Sequence, residues 1–103
     1  MTNLGKLMKQ AQEMQQKMAR LQEDLAAKEV EATSGGGMVR VKMNGQQEVL
    51  SVHIDPQVFS DGDKEMLEDL MTAAFNEARR LALDLAKNEM SKLTGGLPIP
   101  GMF

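Results

Sequence analysis

Leu4, Leu7, Ala11, Met14, Met18, Leu21 and Leu25 follow one another at alternating steps of three and four residues. That spacing is a heptad a/d seam held over three heptads. A strand, whose side chains repeat every two residues, cannot gather these positions on one face. The spacing therefore predicts a helix over about residues 3–28 with one apolar stripe made for another helix. Gln and charged residues flank the stripe, and Met8 is its one apolar addition. Asn3 is suited to cap the start, while Gly5 weakens the first turn. Leu7, Met14, Met18 and Leu21 are the expected helix-packing or dimer contacts.

The period then changes. Val30, Ala32 and Thr33 suggest a short first strand, and Ser34-Gly35-Gly36-Gly37 a turn. Val39, Val41 and Met43 alternate with Arg40 and Lys42, giving one apolar and one basic face. Asn44-Gly45 is a strong hairpin signal, because both residues tolerate the positive φ of a type I′ turn. Leu50, Val52 and Ile54 alternate with Val49, Ser51 and His53 to complete an antiparallel meander of three strands. Asp55-Pro56 ends it.

Ser60-Asp61-Gly62-Asp63 supplies turn and cap chemistry ahead of a second helix, expected over about residues 63–93. Leu67, Met71, Ala74, Ala78, Leu81 and Leu85 repeat the heptad steps, and Leu70, Phe75, Ala82 and Ala86 widen the face enough to cover a sheet. The fold class is α+β: long N-terminal helix, three-stranded meander, long C-terminal helix. Residues 1–94 read as a single domain, and 95–103 as a flexible Gly/Pro tail. A helix of this length measures roughly 46 Å, against roughly 33 Å for a compact globule of this size. Its stripe should therefore overhang a monomeric core, and a two-fold partner is the expected cover.

The chain has 103 residues and no cysteine, which excludes disulfides and thiolate metal sites. No apolar run approaches a membrane span, and the N-terminal residues lack an apolar signal-peptide core, so a cytoplasmic protein is expected. Ser34-Gly35-Gly36-Gly37 is followed by a strand and no Lys-Ser or Lys-Thr, so it fails as a phosphate loop. His53, the single histidine, falls on the polar face of its strand with no nucleophile or orienting acid placed by motif. Asp61, Asp63, Glu65, Glu68 and Asp69 lack calcium-loop spacing and suit a helix N-terminus. No catalysis, cofactor, metal or small-molecule substrate is expected. The ten methionines read as filling for irregular core gaps.

Formal net charge is −3, but the charges are segregated. Lys6, Lys9, Lys17 and Arg20 face only Glu13 in the first twenty residues. Asp55, Asp61, Asp63, Glu65, Glu68, Asp69 and Glu77 surround Lys64, and basic residues return at Arg79, Arg80, Lys87 and Lys92. In the heptad Lys6, Lys9 and Arg20 take outer positions, and Arg80 and Lys87 share a stripe one heptad apart. Such groups can hold phosphates without reading bases. They can equally form a solvated face, because Lys9–Glu13, Glu13–Lys17 and Arg80–Asp84 have i,i+4 spacing.

Several segments occur in a specific order: Leu7-Met8-Lys9-Gln10-Ala11-Gln12 with Met14, Gly36-Gly37-Met38-Val39, Asn44-Gly45, Ile54-Asp55-Pro56, Leu67-Glu68-Asp69-Leu70, Ala73-Ala74 with Asn76 and Ala78, and Gly96-Leu97-Pro98. Over almost its whole length the chain resembles the YbaB/EbfC family of bacterial nucleoid-associated proteins. The resemblance implies a tweezer-like homodimer that binds double-stranded DNA in the nucleoid and takes part in chromosome organisation or gene expression. Carried onto this sequence, it implies Lys6, Lys9, Gln10, Arg79, Arg80 and Lys87 as DNA-binding residues. The competing expectation is a protein-interaction or chaperone-like clamp whose methionine-rich seam holds apolar clients without DNA.

Overall fold

The computed structural model describes residues 3–60 and 62–95. Asp61 and the expected tail from Gly96 onward lie outside the described residues. The order is α1 (Leu4–Ala27), β1 (Glu29–Ser34), a 3-10 turn (Gly35–Gly37), β2 (Val39–Asn44), β3 (Val49–Ile54), α2 (Pro56–Ser60) and α3 (Lys64–Leu93). The strands form one antiparallel sheet in the order β1-β2-β3. The α+β class, the two long helices and the meander are those expected. The short helix α2 was not, because its five residues offer no periodicity to read. It seats Val58, which is fully buried.

Alternation decides how the sheet is covered. Val39, Val41 and Met43 of β2 and Ala32 of β1 are buried beneath α3. The helix comes close because its contact face is made of Ala74, Ala78 and Ala82, all fully buried. Asp63 caps its start, its side chain accepting a hydrogen bond from the Met66 amide at 2.9 Å. Gly35, at φ 58, turns the chain beneath α3, where a Cβ would lie 2.7 Å from Leu70 Cδ2. Gly35 thus packs this strand connection on α3, while Gly36 and Gly37 face open space.

Beyond the sheet, α3 meets the end of α1. Leu21, Leu25 and Met90 form a second core with Met18, Leu85, Ala86 and Leu93 against it. Burying side chains of this size contributes about 1.5–3 kcal/mol each. The β2–β3 hairpin clamps the same place. The Gly45 amide donates to Leu25 O at 2.8 Å and to Lys28 O at 3.1 Å. Gln46 Nε2 donates to Gln22 O at 2.9 Å, and Lys28 Nζ meets Glu89 Oε1 at 2.6 Å.

Two expectations need correction. Neither Asn44 nor Gly45 has positive φ; the left-handed residue of the loop is Gln47, at φ 66. Gly45 is required instead by close approach, since a Cβ there would lie 2.8 Å from Leu25 O. Asn44 is a buried polar hub. Its Oδ1 accepts from the Gln46 and Glu48 amides, and its Nδ2 donates to Glu48 and Ala26 O. The expected overhang also belongs to the other helix. The sheet and α1 between them cover the stripe of α3, whereas the first half of α1 runs clear of both. Leu7 is 60% and Met14 44% exposed. The molecule measures 74 × 21 × 17 Å with a radius of gyration of 19.4 Å, against about 13 Å for a compact chain of this length.

Candidate nucleic-acid interface

The seam of α1 fixes where its charges point. At 100° per residue, Lys6, Lys9, Glu13, Lys17 and Arg20 fall on the face opposite Leu4, Leu7, Ala11, Met14 and Met18. Met18 and Leu21 turn toward α3, so the charged face is held outward along the arm. Lys6 and Arg20 are fourteen residues apart, about 21 Å along the axis. Duplex DNA advances about 3.4 Å per phosphate on each strand, so the stripe passes about six phosphates of one strand.

The state of each cation matters as much as its position. Among the described residues, Lys6, Lys9, Lys17, Arg20 and Lys87 make no ion pair or hydrogen bond, and Gln10 is likewise exposed without a partner. The Lys9–Glu13 and Glu13–Lys17 spacings do not close into pairs. Exposed pairs of this kind stabilise by about 0–1 kcal/mol, too little to fix two long side chains. These cations keep their charge available to a ligand.

The α3 candidates differ from one another. Arg80 is engaged on both sides: Nη2 meets Glu77 Oε1 at 2.6 Å and Nη1 meets Asp84 Oδ2 at 3.0 Å. The hydrogen bond from Arg80 holds the Glu77 carboxyl below the ordinary carboxylate range, and that bond in turn raises the guanidinium further. Arg79 turns toward the hairpin, its Nε donating to Gln47 Oε1 at 3.2 Å. Lys87 is exposed and free. The six candidates implied by the resemblance are thus four unengaged side chains, one tethered arginine and one neutralised arginine.

Two surface features lay outside that set. Arg40 and Lys42 project from the sheet face away from α3, Arg40 opposite His53 and Lys42 opposite Ser51. Their alternation with Val39, Val41 and Met43 already marked them as a basic face. The second feature is the uncovered part of the sheet. Val52 pairs with Val41 and Val49 with Met43, so both lie on the apolar face. The helix α3 covers β1 and β2 but leaves β3 open, with Val49 48% and Val52 39% exposed. Leu50 is the additional residue at a register shift between Lys42 and Met43 and is also exposed. The alternation showed which face is apolar, but nothing in it showed that one helix is too narrow to cover three strands.

Among the described residues no helix is long and apolar enough to cross a membrane, and no group of three His, Cys, Asp or Glu side chains is placed to hold a metal ion.

Comparison with known proteins bears on this surface. Residues 1–97 match the profile of the YbaB/EbfC DNA-binding family. A nucleoid-associated protein of Clostridium novyi is 54% identical over 101 residues, covering 98% of this chain and 89% of that one. A nucleoid-associated protein of Pelotomaculum thermopropionicum is 50% identical, covering 98% and 96%. The crystal structure of an uncharacterized protein of Helicobacter pylori shares the fold at a TM-score of 0.82, with 24% identity, covering 91% of this chain and 99% of the other.

Proposed function

The chain belongs to the YbaB/EbfC DNA-binding family, and on that premise we propose that it binds double-stranded DNA as a homodimer, chiefly through phosphate contacts. Its place is then the nucleoid, where it organises the chromosome and influences gene expression. The observation that carries this reading is the free cationic stripe of α1. Lys6, Lys9, Lys17 and Arg20 stand unpaired on an arm that projects from the core, opposite the apolar seam.

Phosphate attachment is the chemistry these groups suit. Lysine on a mobile stem is a point charge, and the stripe has no apolar or aromatic reader beside it. The chain contains no Trp or Tyr and three Phe, which argues against stacking on single strands. Any preference among duplexes then comes from DNA shape and deformability. Gln10, Arg79 and Lys87 are further proposed contacts. Arg80 contributes least, because a phosphate must displace both Glu77 and Asp84 from it.

The open apolar face of β3 supports the homodimer. Val49, Leu50 and Val52 lie beside an unpaired strand edge, the combination that single chains avoid presenting to water. A two-fold partner covers face and edge together, and brings a second arm to the same duplex.

The test is retardation of unrelated duplexes across a salt series, with a Lys6/Lys9/Lys17/Arg20→Ala variant alongside. Sequence-independent binding that weakens steeply with salt, and is lost in the variant, is expected. Equal binding by both proteins contradicts the assignment of the stripe.

A further inference from the structure

We propose that the exposed seam on the first half of α1 pairs antiparallel with the same seam of a second copy of this chain, joining arm to arm. The contact lies on the face opposite the cations and is separate from the β3 interface. Its consequence for DNA, the bridging of two duplexes, rests on the DNA-binding reading above.

The seam is open and has the spacing of a helix contact. The α1–α3 cluster reaches no further along α1 than Met18. Leu4, Leu7, Met8 and Met14 lie beyond it as exposed residues of an unbroken helix. Steps of three and four residues make a stripe that fits into another helix. Among the described residues no large apolar side chain of α3 is exposed. Of the two long helices, α1 alone is left with an uncovered stripe.

The charges favour a copy of α1 as the occupant. Over residues 4–16 the charged side chains are Lys6, Lys9 and Glu13, all on the face away from the seam. Met8 and Gln15 flank the seam on one side and Gln10 on the other. Two such seams meet without a like-charge pair, and each arm keeps its cations outward. A partner helix of opposite charge gains nothing here, because the flanks are neutral.

The direction follows from the shape of the molecule. Packed helices lie about 8–10 Å apart, while the molecule is 21 Å by 17 Å across its long axis. The α1–α3 core begins at Met18, about 6 Å along the helix from Met14. Parallel arms would drive the two cores into each other, whereas antiparallel arms set them at opposite ends. Overlap of residues 4–14, about 15 Å of helix, places Leu4 against the partner's Met14 and Leu7 against the partner's Ala11. The two Met8 side chains then meet on one flank and the two Gln10 side chains on the other. The buried patch is small, so the contact is weak in solution and strengthens where copies are concentrated on DNA. Each dimer carries two such arms, and arms joined seam to seam hold duplexes on their outer faces.

The absence of cysteine makes the contact testable without DNA. Leu4→Cys and Met14→Cys proteins are mixed under mild oxidation, with Leu4→Cys and Glu13→Cys as a control on the opposite face. The mixed disulfide of the first pair should form at least about tenfold faster than that of the control, and equally when both proteins carry Val52→Asp to remove the β3 contact. Equal rates, or a Leu4→Cys homodisulfide that forms faster than the mixed one, overturn the proposal. Bridging is read as capture of a labelled duplex by a bead-tethered one. Leu7→Gln/Met14→Gln, with every cation in place, should retard single duplexes like the parent but capture at least about tenfold less. Unchanged capture, or none by a parent that retards duplexes, overturns the proposal. A parent that retards no duplex contradicts the DNA-binding reading instead, and the disulfide comparison still decides the pairing.

Discussion

Gly45 and Asn44 join the β2–β3 hairpin to the end of α1, and each does so by a different physical means. A Cβ on residue 45 would meet Leu25 O at 2.8 Å and Leu25 Cδ2 at 2.9 Å. Because φ is not positive there, the cost of Gly45→Ala is steric and is expected to be about 1–3 kcal/mol, read as a lower urea midpoint. Asn44→Ala strands two loop amides and a carbonyl, with a similar cost of about 1–3 kcal/mol. The Asn-Gly pair was legible as a hairpin, but its reason was not. Propensity names the residues that tolerate a turn, and only the packed structure reveals that the glycine is making room for a neighbouring helix. Glu89 supplies a pH signature of the same junction. Its carboxyl is held below the ordinary range chiefly by the hydrogen bond from Lys28 Nζ, with burial opposing and further help from the Lys28 and Lys92 charges. A depressed folded-state pKa means that the stability it contributes is fully present above the unfolded value, about 4.3, and is lost as pH falls through the folded value. The stability difference between the parent and Glu89→Gln should therefore be constant from pH 7 to about pH 5 and vanish in stronger acid. A difference that persists there contradicts the role given to the ion pair.

The elements were legible to the extent that their periodicity was unbroken. Both long helices, the meander and the Asp63 cap follow from heptad steps, alternation and turn chemistry. What the sequence could not give was coverage. A heptad pattern states that a stripe wants a partner without saying which stripe gets one, and here the sheet and α1 satisfy α3 while the first half of α1 is left over. The same limit applies to β3, whose apolar alternation reads like that of β2 although only β2 lies under the helix. Val52→Asp is expected to leave the monomer folded, since residue 52 is already half exposed, while shifting the mass measured by light scattering from dimer to monomer. An unchanged dimer would place the interface elsewhere. The candidate site was legible as a set of charges and not as a set of available charges. Lys9 and Arg80 look alike in the sequence, each with an acid at i+4, yet Lys9 is free and Arg80 is held by two carboxylates. In a dimer, Lys9→Ala should lower the magnitude of the log–log salt slope of DNA binding by about 2, and Arg80→Ala should leave it near the parent value.

At the scale of the whole molecule, a chain with a net charge of −3 can bind a polyanion because its charges are separated in space. The acidic start of α3 sits at the sheet, and the free cations stand along an arm that carries the molecule out to 74 Å. Local potential, rather than the total, steers the encounter. The measurement that tests this account most directly is the salt dependence of affinity for a duplex of unrelated sequence. Eight α1 cations, four from each protomer, should contribute about −7 to the log–log slope, and the Lys6/Lys9/Lys17/Arg20→Ala protein should lose that share, keeping only the smaller slope that Arg79 and Lys87 supply. A flat response in the parent, or the same steep slope in both proteins, would contradict it.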